Sequence, residues 1–175
     1  DIPEKFKLNK TKNIRVLHSY IDENRKSGNK NIKGSPYIIE AINRLKNEGF
    51  YIEYMYLNKV NPIEMKYYQA QADIIVEQLI YGWWGSTGVE TITLGKPVVC
   101  FVRKSFKEMF LEQFPEYDSL PIIEADTSTI YDVLKKLLLD EGYRNKKARE
   151  SRQFAESHYD IKKNAISLEK LLLNT

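Results

Sequence analysis

Val98-Val99-Cys100-Phe101-Val102 is apolar at five successive positions. A strand with one wet face alternates apolar with polar. A strand without alternation is buried on both faces, as in a parallel sheet covered by helices on each side. Ile74-Ile75-Val76 repeats the pattern, and Ile14 to His18, Tyr51 to Leu57 and Ile122-Ile123 read as further strands. Between them lie helical stripes, such as Ile38, Ile39, Ala41, Ile42 and Leu45 ahead of Gly49, or Ile130, Val133, Leu134, Leu137 and Leu138. Strand and helix in alternation predict an α/β, Rossmann-like, doubly wound and mainly parallel sheet of about five or six strands with helices on both faces. Ile, Leu, Val and Phe supply 49 of the 175 residues, enough for a real core, and the net charge is only +3. We expect a single domain over residues 14–175, with residues 1–13 a lead-in from a preceding half. The first residue is Asp1, which is expected of a piece of a longer protein.

Several classes drop out. No stretch reaches the ~18 apolar residues of a membrane span, and no signal-peptide pattern is present. The single cysteine, Cys100, lies inside an apolar run and reads as a small buried residue of a reducing, cytoplasmic compartment. Charge is +5 over residues 1–60, −5 over 61–130 and +3 over 131–175, with basic and acidic residues mixed throughout. That is no footprint of a nucleic-acid module, which gathers Lys and Arg on one face. Two histidines and one cysteine far apart make no metal site.

A doubly wound sheet binds ligands at the carboxyl ends of its strands, so the informative loops are 19–35, 58–61, 77–88 and 103–108. In the first, Lys33-Gly34-Ser35 precedes Pro36, with Ser35 the expected N-cap and Pro36 the first helical residue. A helix start with a lysine before it suits phosphate; a solvated loop lysine is the plainer alternative. In the third, Gly82-Trp83-Trp84-Gly85-Ser86-Thr87-Gly88 leads into a helix bearing Glu90. That carboxylate could accept from two ribose hydroxyls, or close a capping box with Thr87. One of the two tryptophans is expected in the core and the other on a pocket wall. His18 ends the first strand and would face the crevice, or else be a satisfied structural histidine. His158 is expected to meet a helix C-terminal dipole. No dinucleotide fingerprint, P-loop or nucleophilic triad spacing is present, so no catalytic residue is assigned.

Taken together, these segments resemble group 1 glycosyltransferases of the GT-B fold. Lys33-Gly34-Ser35 followed by Ile38-Ile39-Glu40-Ala41 is similar to their lysine-glycine phosphate segment. Ala72-Asp73, the glycine loop, Glu90-Thr91 and Leu94-Gly95-Lys96-Pro97-Val98-Val99 are similar to their second hallmark in order and spacing. The resemblance runs over residues 14–175 and is to the C-terminal half, which binds the nucleotide sugar. It implies that Lys33, with Gly34 and Ser35, meets the diphosphate and that Glu90 holds the ribose. Backbone amides of Gly85, Ser86, Thr87 and Gly88 would lie near the diphosphate and sugar, with Leu57, Asn58 and Val60 bordering the base. His18 and Arg25 complete the expected set. It further implies metal-independent transfer from a UDP-, GDP- or ADP-sugar, no cofactor, and an acceptor held by an N-terminal domain. Polysaccharide biosynthesis and a peripheral place at the inner face of the membrane follow from the same likeness.

The sequence departs from the family at two points. Many relatives carry two glutamates separated by seven residues, and Gly82 stands at the first of those places. The arginine usual near the phosphate lysine has Arg25, Lys26 and Lys30 as candidates. Two other classes compete: a nucleotide-sugar epimerase, which needs acid/base groups in the cleft, and a receiver-like signalling module, which needs clustered aspartates after the first strand. Asp22-Glu23 and Glu77 match the latter poorly.

Overall fold

A computed structural model describes residues 1–20, 26–27 and 30–173. Among them, five parallel strands form the main sheet: β1 (Ile14–Tyr20), β4 (Ile52–Asn58), β5 (Ile74–Gln78), β6 (Val98–Cys100) and β7 (Ile123–Glu124), in the order β4-β1-β5-β6-β7. The expected α/β, Rossmann-like sheet is thus present. A short antiparallel pair, β2 (Lys26–Ser27) and β3 (Lys30–Asn31), lies in the segment expected to be plain loop. Helices α1 (Ser35–Asn47), α2 (Pro62–Gln69), α3 (Ser86–Thr93), α4 (Lys104–Gln113), α5 (Ile130–Leu139), α6 (Glu141–His158) and α7 (Ile161–Leu173) complete the chain.

β1 is the hinge of the topology. It pairs with β4 on one side, His18 beside Tyr56, and with β5 on the other, His18 beside Val76. The chain winds one way from β1 to β4 and the other way from β5 onward. The strand order therefore reverses between β1 and β5, and doubly wound sheets take their ligands at the carboxyl ends of strands at such a point.

Alternation along buried strands sorts the core into two layers. Val16, Ile74, Val76 and Val99 face α1 and α5, packing on Ile38, Ile42, Leu45, Leu134 and Leu137. Leu17 and Ile75 face the other way, with Met55 and Ala72. Val98 and Cys100 join that second side against Trp84, Ile92, Phe110 and Phe154. The double burial read from the Val98 run is real, although ladder pairing in β6 stops at Cys100.

Residues 1–13 dock rather than trail. Phe6 is buried and stacks on Tyr67 of α2 at 4.7 Å between ring centroids. The Gln71 side chain bridges the Leu8 amide and the Phe6 carbonyl. At the other end α7 leaves Ile161, Leu168, Leu171 and Leu172 exposed. Among the described residues no helix is long and apolar enough to cross a membrane.

Candidate functional site

The loops after β1 and β5 meet where the strand order reverses. The Leu79 amide donates to the Lys33 carbonyl at 3.1 Å, tying one loop to the other. Gly34 sits between them with φ +69°, and a Cβ there would lie 3.0 Å from the Leu79 Cβ. Glycine is needed on both counts: the left-handed conformation and the close approach.

Gly34, not Ser35, is the N-cap of α1, which corrects the expectation from sequence. Ser35 is the first helical residue, and its side chain turns inward to His18. The His18 ring is fully buried, with Nδ1 2.9 Å from the Val76 carbonyl and Nε2 2.8 Å from Ser35 Oγ. A carbonyl only accepts, so Nδ1 carries the hydrogen and Nε2 accepts from the Ser35 hydroxyl. Burial, with Lys33 adding to it, brings the His18 pKa down to about 4, so the ring is neutral. His18 therefore lies buried beneath the start of α1, bonded to Ser35 rather than open to solvent.

The third loop is organised by a residue that the sequence reading left out of the site. Glu77, next to last in β5, is 3% exposed. Its Oε1 accepts from the Gly85 amide at 2.8 Å, while Oε2 meets no hydrogen-bond partner. A Cβ on Gly88 would fall 2.7 Å from Oε2 and 2.7 Å from the Trp84 Cβ, and one on Gly85 3.1 Å from Oε1. The two glycines are thus glycines because a carboxylate is packed beneath them. Burial raises the Glu77 pKa, while the nearby Lys33 charge and the Gly85 amide oppose that rise. The Gln78 side chain donates to the Trp83 carbonyl and further fixes the turn.

Gly85 is the N-cap of α3, so the expected Thr87–Glu90 capping box is not formed. Thr87 lies already inside the helix, and Glu90 falls in its second turn. The Glu90 carboxylate is exposed and accepts instead from Gln69 of α2, at 3.2 Å. Neither α1 nor α3 has a side-chain cap among the described residues, whereas Asn61 caps α2 and Asp140 caps α6. Open N–H groups at a helix start attract anions. α3 has the larger share, through Ser86 and Thr87, because Pro36 of α1 carries no N–H.

Trp84 is core and Trp83 stacks on it at 3.9 Å, half-buried on the wall of an apolar groove with Val89, Met109 and Phe110. His158 ends α6 inside a ring cluster, 3.2 Å from the Tyr117 hydroxyl. Leu57 and Asn58 end β4 on the same sheet edge, followed by the half-buried Val60. Arg25 lies outside the described residues. The structure instead brings Arg103 to this edge, from the N-cap of α4. Its amide donates to the Gly82 carbonyl at 2.8 Å, and its side chain packs on Gly82, whose φ is +98°. A Cβ at 82 would lie 2.3 Å from Arg103 Cγ, so any side chain there would have to displace Arg103 and adopt a strained left-handed backbone. Among the described residues no cluster of His, Cys, Asp or Glu could hold a metal ion.

No protein-family model matches this sequence, and no curated protein matches it. Solved structures do. One is the C-terminal domain of a glycosyl transferase group 1 family protein from Francisella tularensis, at TM-score 0.59 and 15% identity, over 83% of this chain and 86% of that one. A second is the C-terminal CMP-Kdo binding domain of WaaA from Acinetobacter baumannii, at TM-score 0.58 and 10% identity, over 81% and 88%. A third is sucrose-phosphate synthase from Thermosynechococcus elongatus, at TM-score 0.57 and 13% identity, over 93% of this chain and 45% of that one. The chain accordingly has the fold of the C-terminal domains of group 1 glycosyltransferases, as its motifs lead one to expect.

Proposed function

We propose that the chain binds a nucleoside diphosphate sugar, of the UDP-, GDP- or ADP-type, as the donor half of a glycosyltransferase. The acceptor would be held mainly by an N-terminal domain of the same full-length protein. The observation that carries this reading is the meeting of Lys33 with two uncapped helix starts at the point where the strand order reverses. The CMP-Kdo domain among the structural neighbours, itself a binder of a nucleotide-activated sugar, supports it.

The mechanism follows from charge. As the glycosidic bond to the diphosphate breaks, negative charge gathers on the leaving phosphate. Lys33 and the Ser86 and Thr87 amides would stabilise that developing charge more than the ground state, which lowers the barrier. Fixed charges and dipoles do this without a metal ion. The neutral His18 holds Ser35, and through it the start of α1, in place. Glu90, at the second turn of α3, would take the ribose hydroxyls. An epimerase would need an acid/base group open to the cleft, and His18 has both ring nitrogens engaged.

A thermal-shift screen of UDP-, GDP- and ADP-sugars tests the reading. One base class should stabilise the fold, by about 2.7 kcal/mol at a hundredfold excess over Kd. No shift with any of them would overturn it. The chain by itself should bind the nucleotide but transfer sugar poorly; turnover equal to that of a longer form would contradict the division of labour.

A further inference from the structure

Glu77 is a puzzle in a site meant for phosphate. A carboxylate, nine-tenths and more buried, lies directly beneath the turn whose amides would take the anion. Only one of its oxygens is satisfied. Oε2 sits under Gly88 without a donor in hydrogen-bond geometry. Leaving one lone-pair set of a buried anion unmet is costly, and a second anion above it would add repulsion. Protonation removes the repulsion and the larger part of the burial penalty, because the charge disappears.

We infer that Glu77 positions the glycine turn and takes up a proton when a diphosphate settles on the start of α3. The inference rests on the nucleotide-sugar reading above and deepens it, by giving the site a proton-coupled anion switch.

The groups around Glu77 leave it as the one that titrates in response. Lys33, from the segment before α1, acts on it as a positive charge and would be drawn toward the incoming phosphate. When that happens the anionic form of Glu77 loses its best stabiliser. The Cys100 thiol of β6, pushed well up by burial, stays neutral; it and the Gly88 amide favour the charged form of Glu77 less than Lys33 does. His18 of β1, held at about 4, stays neutral as well. On α3 the only carboxylate is Glu90, which turns to Gln69, and from the α4 side Arg103 packs on Gly82. Burial already raises the Glu77 carboxyl from its ordinary value, and a further rise on anion binding moves it in the same direction, toward neutrality.

Calorimetric titration of the full chain tests this, with UDP, GDP, ADP and inorganic pyrophosphate as probes. Run in two buffers of different ionisation enthalpy, it counts protons taken up on binding. We expect net uptake in the wild type at mildly acidic pH, falling away as pH rises. Glu77→Gln keeps an acceptor for the Gly85 amide and fixes the neutral state. It should abolish the uptake and outbind the wild type at mildly basic pH, by up to about tenfold for each pH unit that the bound-state pKa rises. Because the phosphates' own ionisation is common to both proteins, the ratio of the two affinities isolates Glu77. Binding without proton uptake in the wild type, or uptake that persists in Glu77→Gln, would overturn the inference alone. Should Glu77→Gln fold poorly, the wild type titrated with the UDP-, GDP- and ADP-sugars still decides, because their fully esterified diphosphates do not ionise near neutral pH and any proton taken up is the protein's. Failure of every probe to bind would overturn both this inference and the nucleotide-sugar reading.

Discussion

The starts of α1 and α3 share a plan. Each has a glycine at the N-cap, no side-chain cap among the described residues, and a buried polar side chain from the strand beneath. Under α1 that side chain is His18, neutral and with both nitrogens satisfied. Under α3 it is Glu77, half satisfied and ionisable. The same geometry is thus supported once by a group indifferent to the arrival of an anion and once by a group that must respond. α1 brings the fixed charge of Lys33, and α3 brings the open amides. In the proposed diphosphate site, the contrast pairs a rigid half with a half that can respond to the anion.

The rigid half should break hardest. His18→Ala leaves the Ser35 hydroxyl buried without its His18 partner, removes the bond to the Val76 carbonyl, and opens a cavity. We expect a loss of about 3 kcal/mol in denaturant unfolding; a loss under about 1 kcal/mol would show that His18 does not hold α1. The same residue sets an acid limit. Its folded pKa, about 4, lies below the unfolded value of 6.5, so the unfolded chain binds the proton first as pH falls. Stability contributed by neutral His18 is full above pH 6.5 and drains away as pH falls toward 4, by up to about 3 kcal/mol. Unfolding midpoints across that window check this, with His18→Ala expected to flatten the slope.

Lys33→Ala should weaken a nucleoside diphosphate by roughly ten- to a hundredfold while leaving the bare nucleoside unchanged, the worth of one charge-assisted contact. An equal loss for both would remove Lys33 from the phosphate. In the responsive half, Gly88→Ala drives a methyl into Glu77 Oε2 and Trp84, which should cost about 2 kcal/mol despite the better helix propensity of alanine. Gly85→Ala, exposed and with its Cβ 3.1 Å from Glu77 Oε1, asks the carboxylate to give by only a few tenths of an ångström and should cost less. Comparable midpoints for the two would mean that the turn is not seated on Glu77. The smallest effect is expected at Glu90. Without a capping box to lose, Glu90→Gln should leave the melting temperature unchanged and weaken a ribonucleotide about fivefold, less for its 2′-deoxy form. Unchanged affinity for both would leave Glu90 only its contact with Gln69.

Much of this was legible in the sequence. Strands buried on both faces announce themselves by unbroken apolar runs, so β5, β6 and the α/β class follow from local pattern. The glycines at the starts of α1 and α3 were visible as glycines. What was hidden depends on partners far along the chain. Serine suits both the cap and the first turn, and only His18, 17 positions earlier, decides that Ser35 turns inward. Glu77 looks like an ordinary polar residue at a strand end until the turn folds over it. Arg103 reaches Gly82 only because β5 and β6 are neighbours, and no local signal gives that adjacency.

The central claim is that a diphosphate sits between the starts of α1 and α3. Amide NMR of the labelled chain, titrated with the nucleoside diphosphate selected by the thermal screen, tests it most directly. The account predicts the largest shifts at the Ser35, Gly85, Ser86 and Thr87 amides, lost or greatly reduced in Lys33→Ala. Shifts confined to the Trp83 groove or to α7, with those four amides unmoved, would contradict it.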